Sequence, residues 1–479
     1  MRFDLFWVLM GRTAYVFAPL YLIPFAYGII VGDASTGFFP VLSVLTFILG
    51  MVFGNMGRSH MRQLSVQEGM LFLLVVWFFL ALLGMLPFHL AGLHLSPINT
   101  FFECISALTT TGLTALPEDL PPALLLWRGL MSWFGGLLFV VILVTVQPVV
   151  GGCFGVDFSV RQERLFSPLW NRMTRPMHEM TLLYIAITIA AALLYLAAGD
   201  TVFSALLLAL YTIASGAGPM AGDLPPTPSL MLAGGLSALL SALPLLTIRQ
   251  LLRRRGEVDV LRHTELHAFC LLFLSAGLAL TMPALLSGTS SPIDAIAYGF
   301  FYAISFLSTN GLLLAGAIPV HGGAILLLTL LAIIGGCMGS AAGGFRISRL
   351  LVLLSLSWTE LQRTLHPRMV FAVRQGGMPI PIHSVGRVLV LSFFFAAVFS
   401  VSSLLISLAN LAPIETIALT VSCLTTTGGV AGLVHMDTAA ALPAWTKIVC
   451  AFLMILGRIE IFAFFLFVGA LFKDTGHNW

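Results

Sequence analysis

Four positions along the chain join oxygen-rich side chains to a glycine: Thr110, Thr111 and Gly112; Ser215 and Gly216; Thr309, Asn310 and Gly311; and Thr426, Thr427 and Gly428. The chemistry open to such groups is coordination of a dehydrated cation. Backbone carbonyls replace an ion's water shell only where the chain leaves the helix and turns its C=O groups inward. Glycine reaches positive φ cheaply and so permits that turn, and the threonine hydroxyls before Gly112 and Gly428 can add further oxygens. One such turn alone would read as an ordinary helix cap. Four of them, each after a segment of similar length, make a pore lining the better reading.

A second group sits where polar sequence is costly. Gly335, Gly336, Gly339, Gly343 and Gly344 interrupt an apolar run, with Ser340, Ala341 and Ala342 among them. Non-helical backbone survives at membrane depth only inside protein or beside water, so this loop is expected in the permeation path as a gate. Close helix packing through small residues is the competing reading. Arg458 and Glu460 lie within the last apolar run, where a charge normally faces the protein interior or a water-filled cavity. A pore-facing Arg458 would repel cations and set a barrier. A structural ion pair with Glu103 or Glu460 is the alternative, Glu460 being the less suited because residues two apart face differently on a helix.

To deliver four turns to one axis, the chain needs short helices that end at mid-membrane. Apolar segments of about 12 to 14 residues, too short to cross about 30 Å of hydrocarbon, precede the turns within 96–112, 200–216, 291–311 and 412–428. Ser96 is placed to cap the first, with Pro97 at a position where its missing N–H costs nothing. The fourth keeps the same proline-to-glycine separation and the same TTTG ending. In the second, Asp200 stands where Ser96 stands; the third begins with the same SPI and is about one helical turn longer. Their negative C-terminal ends, aimed at a shared axis, would favour a cation. The pattern of span, short helix, turn and span recurs four times, which predicts a pseudo-fourfold arrangement.

Composition sets the environment. Of 479 residues, 59% are hydrophobic and 9% charged, with a mean hydropathy of +1.02, against roughly a quarter charged in a soluble domain. Soluble enzyme folds, disorder and a collagen-like fibre are excluded, and the fold class is an all-α polytopic membrane protein. Runs long enough to span begin near Phe6, Phe39, Met70, Ala123, Met180, Ser229, Leu266, Gly323, Val388 and Pro443. The first has no cleavage site after it and reads as a retained anchor. The six cysteines stand singly, so neither disulfides nor a thiolate metal site is expected.

Basic residues cluster at 58–62, 161–175, 249–262 and 346–387. They alternate with loops carrying Asp33, Glu118, Asp119, Asp200, Asp223, Asp294, Glu415 and Asp437. The positive-inside rule puts both termini in the cytoplasm, and the acidic outer loops would concentrate cations. Arg128 and Lys447, near outer span ends, are expected to snorkel. Topology explains most of the basic charge, so lipid is the expected surrounding and no nucleic-acid partner is expected.

Enzymatic readings fare poorly. His263 and His267 flank Glu265, but a zincin needs the Glu beside the first His, and the stretch reads as an interfacial helix start. No GxSxG or HExxH motif is present. An inverted-repeat symporter fits less well, because all four repeats share one orientation. The chain is therefore not read as an enzyme.

The residues resemble the membrane subunit of the Trk/Ktr/HKT potassium-transporter superfamily, specifically its Trk-type branch, along nearly the whole chain. The resemblance rests on FFECISALTTTGLT (101–114), WFGG (133–136), GGCMGSAAGGFRISR (335–349), ELQRTLHP (360–367) and LGRIEIF (456–462). It implies a potassium uptake protein of the bacterial cytoplasmic (inner) membrane. Two initial helices (1–62) would precede four helix–pore loop–helix repeats at 63–178, 179–262, 263–386 and 387–479, the third containing the broken gating span. It further implies filter glycines at Gly112, Gly216, Gly311 and Gly428, with Arg458 as a barrier beneath them. Homodimerisation and a separate cytoplasmic, nucleotide-binding regulatory subunit follow from the same resemblance, as does potassium as substrate with no cofactor in this chain.

The chain departs from the family pattern after the second glycine, where SGAGPMAG occupies 215–222, and in Ala341 and Ala342, where relatives carry Thr and Gly. Together with the less polar, glycine-rich STNGLLLAG (308–316) and TTTGGVAG (425–432), the second-unit change makes looser selectivity the expectation, while at Ala341 and Ala342 any hydroxyl role rests on Ser340 alone. Having glycine in all four positions instead resembles the potassium-preferring members. A passive channel, an H+- or Na+-coupled symporter and a less selective monovalent cation transporter all use these same parts.

Overall fold

The computed structural model describes residues 4–33, 36–57, 66–92, 95–117, 119–145, 174–218, 227–245, 264–287, 291–314, 322–366, 372–375, 378–436 and 438–459, with single positions 248, 461, 464, 465 and 469. The basic segments 58–62 and 249–262, most of 161–175, the stretch 219–222 and Glu460 lie outside the described residues.

Helices α1 (Asp4–Phe17) and α2 (Leu22–Val31) form one apolar stretch across a 3-10 turn at Ala18–Tyr21, where Pro19 tightens the chain. Next comes α3 (Phe39–Met56), with Val44, Phe47, Ile48 and Met51 exposed. So much outward apolar surface suits lipid rather than water.

Four groups of helices follow. The first comprises α4 (Val66–Gly84), a short α5 (Leu86–Leu90), α6 (Pro97–Leu108) and α7 (Pro122–Thr145). The second has α8 (Thr174–Ala197), α9 (Val202–Ile213) and α10 (Pro228–Ala242). The third has α11 (Thr264–Ser287), α12 (Pro292–Leu307), α13 (Gly322–Ile334) and α14 (Ile347–Leu365). The last has α15 (Ile382–Ser407), α16 (Pro413–Thr425), a single turn α17 (Gly429–Gly432) and α18 (Ala444–Ile459). Strands β1 (Arg374–Gln375) and β2 (Met378–Pro379) pair antiparallel between α14 and α15.

Among the described residues seven helical stretches are long and apolar enough to cross a membrane, fewer than the ten runs in the sequence. The shortfall lies at α10, α13 and α18, with 15, 13 and 16 residues. Helix α10 stops because Pro244 drives Leu243 into extended backbone, ψ 146°. Helix α13 stops because Gly335 turns to φ +73°. Beyond Ile459 the chain is described only at isolated positions.

Packing repeats with the helices. Helix α6 packs against α4 and α7 of its own group, and against α18 of the last. Helix α9 packs against α8 and α10, and against α7 of the preceding group; α12 likewise lies against α11, α13 and α10, and α16 against α15, α18 and α13. Each short helix thus wedges between its own spans and the last span of the group before it, which closes the four groups into a ring.

Candidate functional site

The four short helices share one type of ending. Thr110, Ser215, Thr309 and Thr426 adopt left-handed backbone, with φ of 61°, 58°, 57° and 55°. None is glycine, so the recurring turn is held by tertiary packing rather than chosen by backbone freedom. The next N–H reaches back over the helix end in three of them: Thr111 to the Ser106 oxygen at 2.8 Å, Gly216 to Tyr211 at 2.9 Å and Thr427 to Ser422 at 2.9 Å. These are the six-to-one bonds of a Schellman ending.

That geometry corrects the register of the second turn. Helix α9 is capped by Thr201, whose Oγ1 accepts from the Ser204 N–H at 3.3 Å, and not by Asp200. Shifted by one residue, Gly216 becomes the counterpart of Thr111 and Thr427. Ala217 takes the place of Gly112 and Gly428. The caps differ elsewhere too. Ser96 occupies its cap position without a side-chain bond, Ser291 accepts from Asp294, and the Ala412 N–H donates to Glu415 at 3.0 Å.

Only Gly112 (φ 86°) and Gly311 (φ 62°) use the left-handed region among the four expected glycines; Gly428 sits at φ −57°. Close approach explains glycine at Gly428 instead, since a Cβ there would lie 2.5 Å from the Thr111 oxygen.

The turns touch one another in order. A Cβ on Gly112 would meet the Ala217 oxygen at 2.5 Å, and one on Gly311 the Gly429 nitrogen at 2.8 Å. The Asn310 amide donates to the Thr212 oxygen at 3.0 Å, joining the second and third turns. The Gly428 N–H donates to the Thr111 oxygen at 2.7 Å, joining the fourth and first. Within this ring Thr110 Oγ1, Thr426 Oγ1 and Asn310 Oδ1 are buried without a hydrogen-bond partner. Buried oxygens are normally satisfied, so these three unpaired ones on touching turns are oxygens that a cation could use.

The glycine-broken span lies against the ring. Between α13 and α14 the chain is non-helical, with Gly335, Gly339 and Gly344 at positive φ. The loop is tied on several sides. The Gly343 N–H donates to Thr309 Oγ1 at 2.8 Å, Ala341 N–H to the Ser241 oxygen at 3.3 Å, and Met338 N–H to Glu265 Oε1 at 2.7 Å. Ser340 Oγ donates to the Cys337 oxygen at 2.7 Å, within the loop itself. Gly336 accepts from the Ile347 N–H at 3.3 Å, where α14 begins.

Arg458 is buried on α18 beneath this loop. Its Nη1 donates to the Ala341 oxygen at 2.9 Å, its guanidinium lies 4.1 Å over the Phe139 ring, and Nε and Nη2 have no partner. It makes no ion pair with Glu103. That carboxylate pairs instead with Arg128 Nε, and also accepts from the Ala115 N–H at 2.7 Å and Thr114 Oγ1 at 3.1 Å. Arg128 Nη1 reaches the Tyr211 hydroxyl at 3.2 Å.

Arg128 therefore does not snorkel: it is 1% exposed and paired inside the protein. Lys447 donates to Asn99 Oδ1 and to the Ala440 oxygen in the loop before its helix. Sequence reasoning missed the Glu103–Arg128 pair and the Glu265 tether. The signal available for Glu103 was an acid in the middle of an apolar short helix, which demands a partner. Among the described residues Cys104, Cys270, Cys337, Cys423 and Cys450 are free thiols.

The described residues thus form a mostly helical protein with membrane-length apolar helices, four short helices whose end turns touch, and a broken span tied to those turns. The family profile described as "TrkH: Cation transport protein" matches residues 236–474. The Trk system potassium uptake protein TrkI of Halomonas elongata is 30% identical over 405 residues, covering 80% of each chain. TrkH of Escherichia coli K12 is 28% identical, covering 96% of this chain and 97% of its own. The crystal structure of the potassium transporter TrkH from Vibrio parahaemolyticus superposes with a TM-score of 0.88 at 25% identity, over 99% of this chain and 100% of that one. The chain belongs to the TrkH family of cation transport proteins, which are transporters and not enzymes.

Proposed function

We propose that this chain is the membrane subunit of a Trk-type potassium uptake system. Potassium would pass through the ring of four turns, with Thr110, Thr111 and Gly112, the second turn after Ser215, Thr309, Asn310 and Gly311, and Thr426, Thr427 and Gly428 as the selective lining. The loop 335–344 and Arg458 form the gate below it. Residues 1–62 make an N-terminal two-helix unit, and 63–178, 179–262, 263–386 and 387–479 are the four pore repeats.

The observation that carries this reading is that unpaired buried oxygens, Thr110 Oγ1, Thr426 Oγ1 and Asn310 Oδ1, belong to turns that touch in cyclic order. Helix C-termini aimed at the same place add negative potential. The basic segments of the sequence support a topology with both termini in the cytoplasm of a bacterial cell. A homodimer and a cytoplasmic nucleotide-binding subunit complete the assembly. The names of the relatives support potassium as the cargo.

The test is rubidium influx into proteoliposomes holding the purified chain, with and without its regulatory subunit, the potassium, sodium and proton gradients being clamped in turn. Influx driven by the potassium-type gradient alone supports a channel-like path, and loss of influx when the sodium or proton gradient is collapsed supports a coupled symporter. Absence of influx in every condition contradicts the reading.

A further inference from the structure

We infer that Ala217 is the specificity-determining residue of the second turn, its methyl group facing the ion path where the first, third and fourth turns carry glycine. This rests on the pore reading proposed above. Three observations carry it.

First, the left-handed residue Ser215 and the Gly216-to-Tyr211 bond set the register, so Ala217 is the counterpart of Gly112 and Gly428. Second, the neighbours of Ala217 face packed protein. A Cβ on Gly216 would meet Ser132 Oγ at 2.9 Å and the Thr110 oxygen at 3.2 Å, and one on Gly218 would strike the Tyr211 ring. Gly216 and Gly218 are buried, whereas Ala217 is only half-buried, as is Gly112. Third, the Ala217 Cβ lies 2.8 Å from where a Cβ on Gly112 would stand. The methyl therefore lies where the first and second turns meet, beside Gly112.

A Cβ is tolerated because Ala217, like Gly428, lies outside the left-handed region. Discrimination between cations depends on how closely, and with how many oxygens, the turns surround the ion. A methyl at one of four positions limits that approach from one side. Enlarging it narrows the path, and adding an oxygen gives the smaller, more strongly hydrated sodium ion an extra ligand.

The experiment measures rubidium influx and its competition by sodium in proteoliposomes of the full chain for Ala217→Ser, Ala217→Val and Gly112→Ser. Monodispersity and thermal unfolding are recorded for each. Ala217→Val is expected to slow influx roughly tenfold, the scale set by one or two extra methyl groups in a fitted site. Ala217→Ser, close to the parent in size, is expected to lower rubidium-over-sodium preference about threefold. If Gly112→Ser alters preference while Ala217→Ser leaves both influx and preference at parental values, the inference about Ala217 is wrong and the pore reading stands. If Gly112→Ser and Ala217→Ser both leave preference unchanged in folded protein, the pore reading itself fails.

Discussion

The Arg458 guanidinium donates to the Ala341 carbonyl at 2.9 Å and lies over the Phe139 ring at 4.1 Å. One arginine thus bonds the last helix to the broken span of the third group and stacks on the second span of the first. Two of its nitrogens remain unpartnered in a buried position, which is costly unless water or a changing partner satisfies them in another state. A residue held this way suits a barrier that must move.

Replacing Arg458 by Ala is expected to raise cation flux, on the order of tenfold if about 1.4 kcal/mol of barrier is removed, with the fold retained. Arg458→Lys keeps the charge and loses the planar stacking, so its flux should fall between parent and Ala. Equal flux for all three proteins would remove Arg458 from the gate.

Glu103 and Arg128 brace the first turn, because the same carboxylate holds the N–H of Ala115 just beyond Gly112. Glu103→Leu alone leaves Arg128 buried and should cost ~3–5 kcal/mol of stability. The double substitution Glu103→Leu with Arg128→Met should recover much of that. Thermal unfolding of Glu103→Leu, Arg128→Met and the double variant in detergent checks this, and an additive double mutant would show that the two residues act separately.

A serine at Gly428 would bring a Cβ to 2.5 Å from the Thr111 carbonyl and push apart the fourth and first turns. Rubidium-over-sodium preference should fall, roughly tenfold by the usual conversion of 1.4 kcal/mol. Sodium competition in the flux assay reads this directly, and an unchanged preference would separate Gly428 from the selective lining.

The Glu265 carboxylate anchors the loop through the Met338 N–H at 2.7 Å. With Glu265→Ala the loop loses that anchor, and flux without the regulatory subunit should rise by roughly one to two orders of magnitude if one charged hydrogen bond, ~1.5–3 kcal/mol, holds the loop closed. Unaltered flux would limit Glu265 to a structural role.

Much of this arrangement was legible in the sequence, and the exceptions have physical causes. The short helices could be read because proline marks the starts of three of them and a glycine follows all four ends, and the broken span because five glycines interrupt one apolar run. The second turn was misplaced by one residue. Asp200 and Thr201 are both good caps, and Gly216 falls one position before the site that Gly112 and Gly428 occupy in their turns. Positive φ was expected of the glycines, yet threonine and serine carry the common left-handed turn. Arg128 was misread as a surface anchor because its partner lies 25 residues away on another helix, and sequence spacing does not reveal such pairs. Glu265 looked like an ordinary first-turn acid, and only the fold brings Met338 to it.

The central claim is that the cation sits among the four turns. The most direct measurement is the anomalous difference map of crystals grown in rubidium and then in sodium alone. The account places a rubidium peak on the axis between Gly112, Ala217, Gly311 and Gly428, within reach of Thr110 and Thr426, and expects it to vanish in sodium. Rubidium bound elsewhere in the membrane region, with the ring empty, would contradict it.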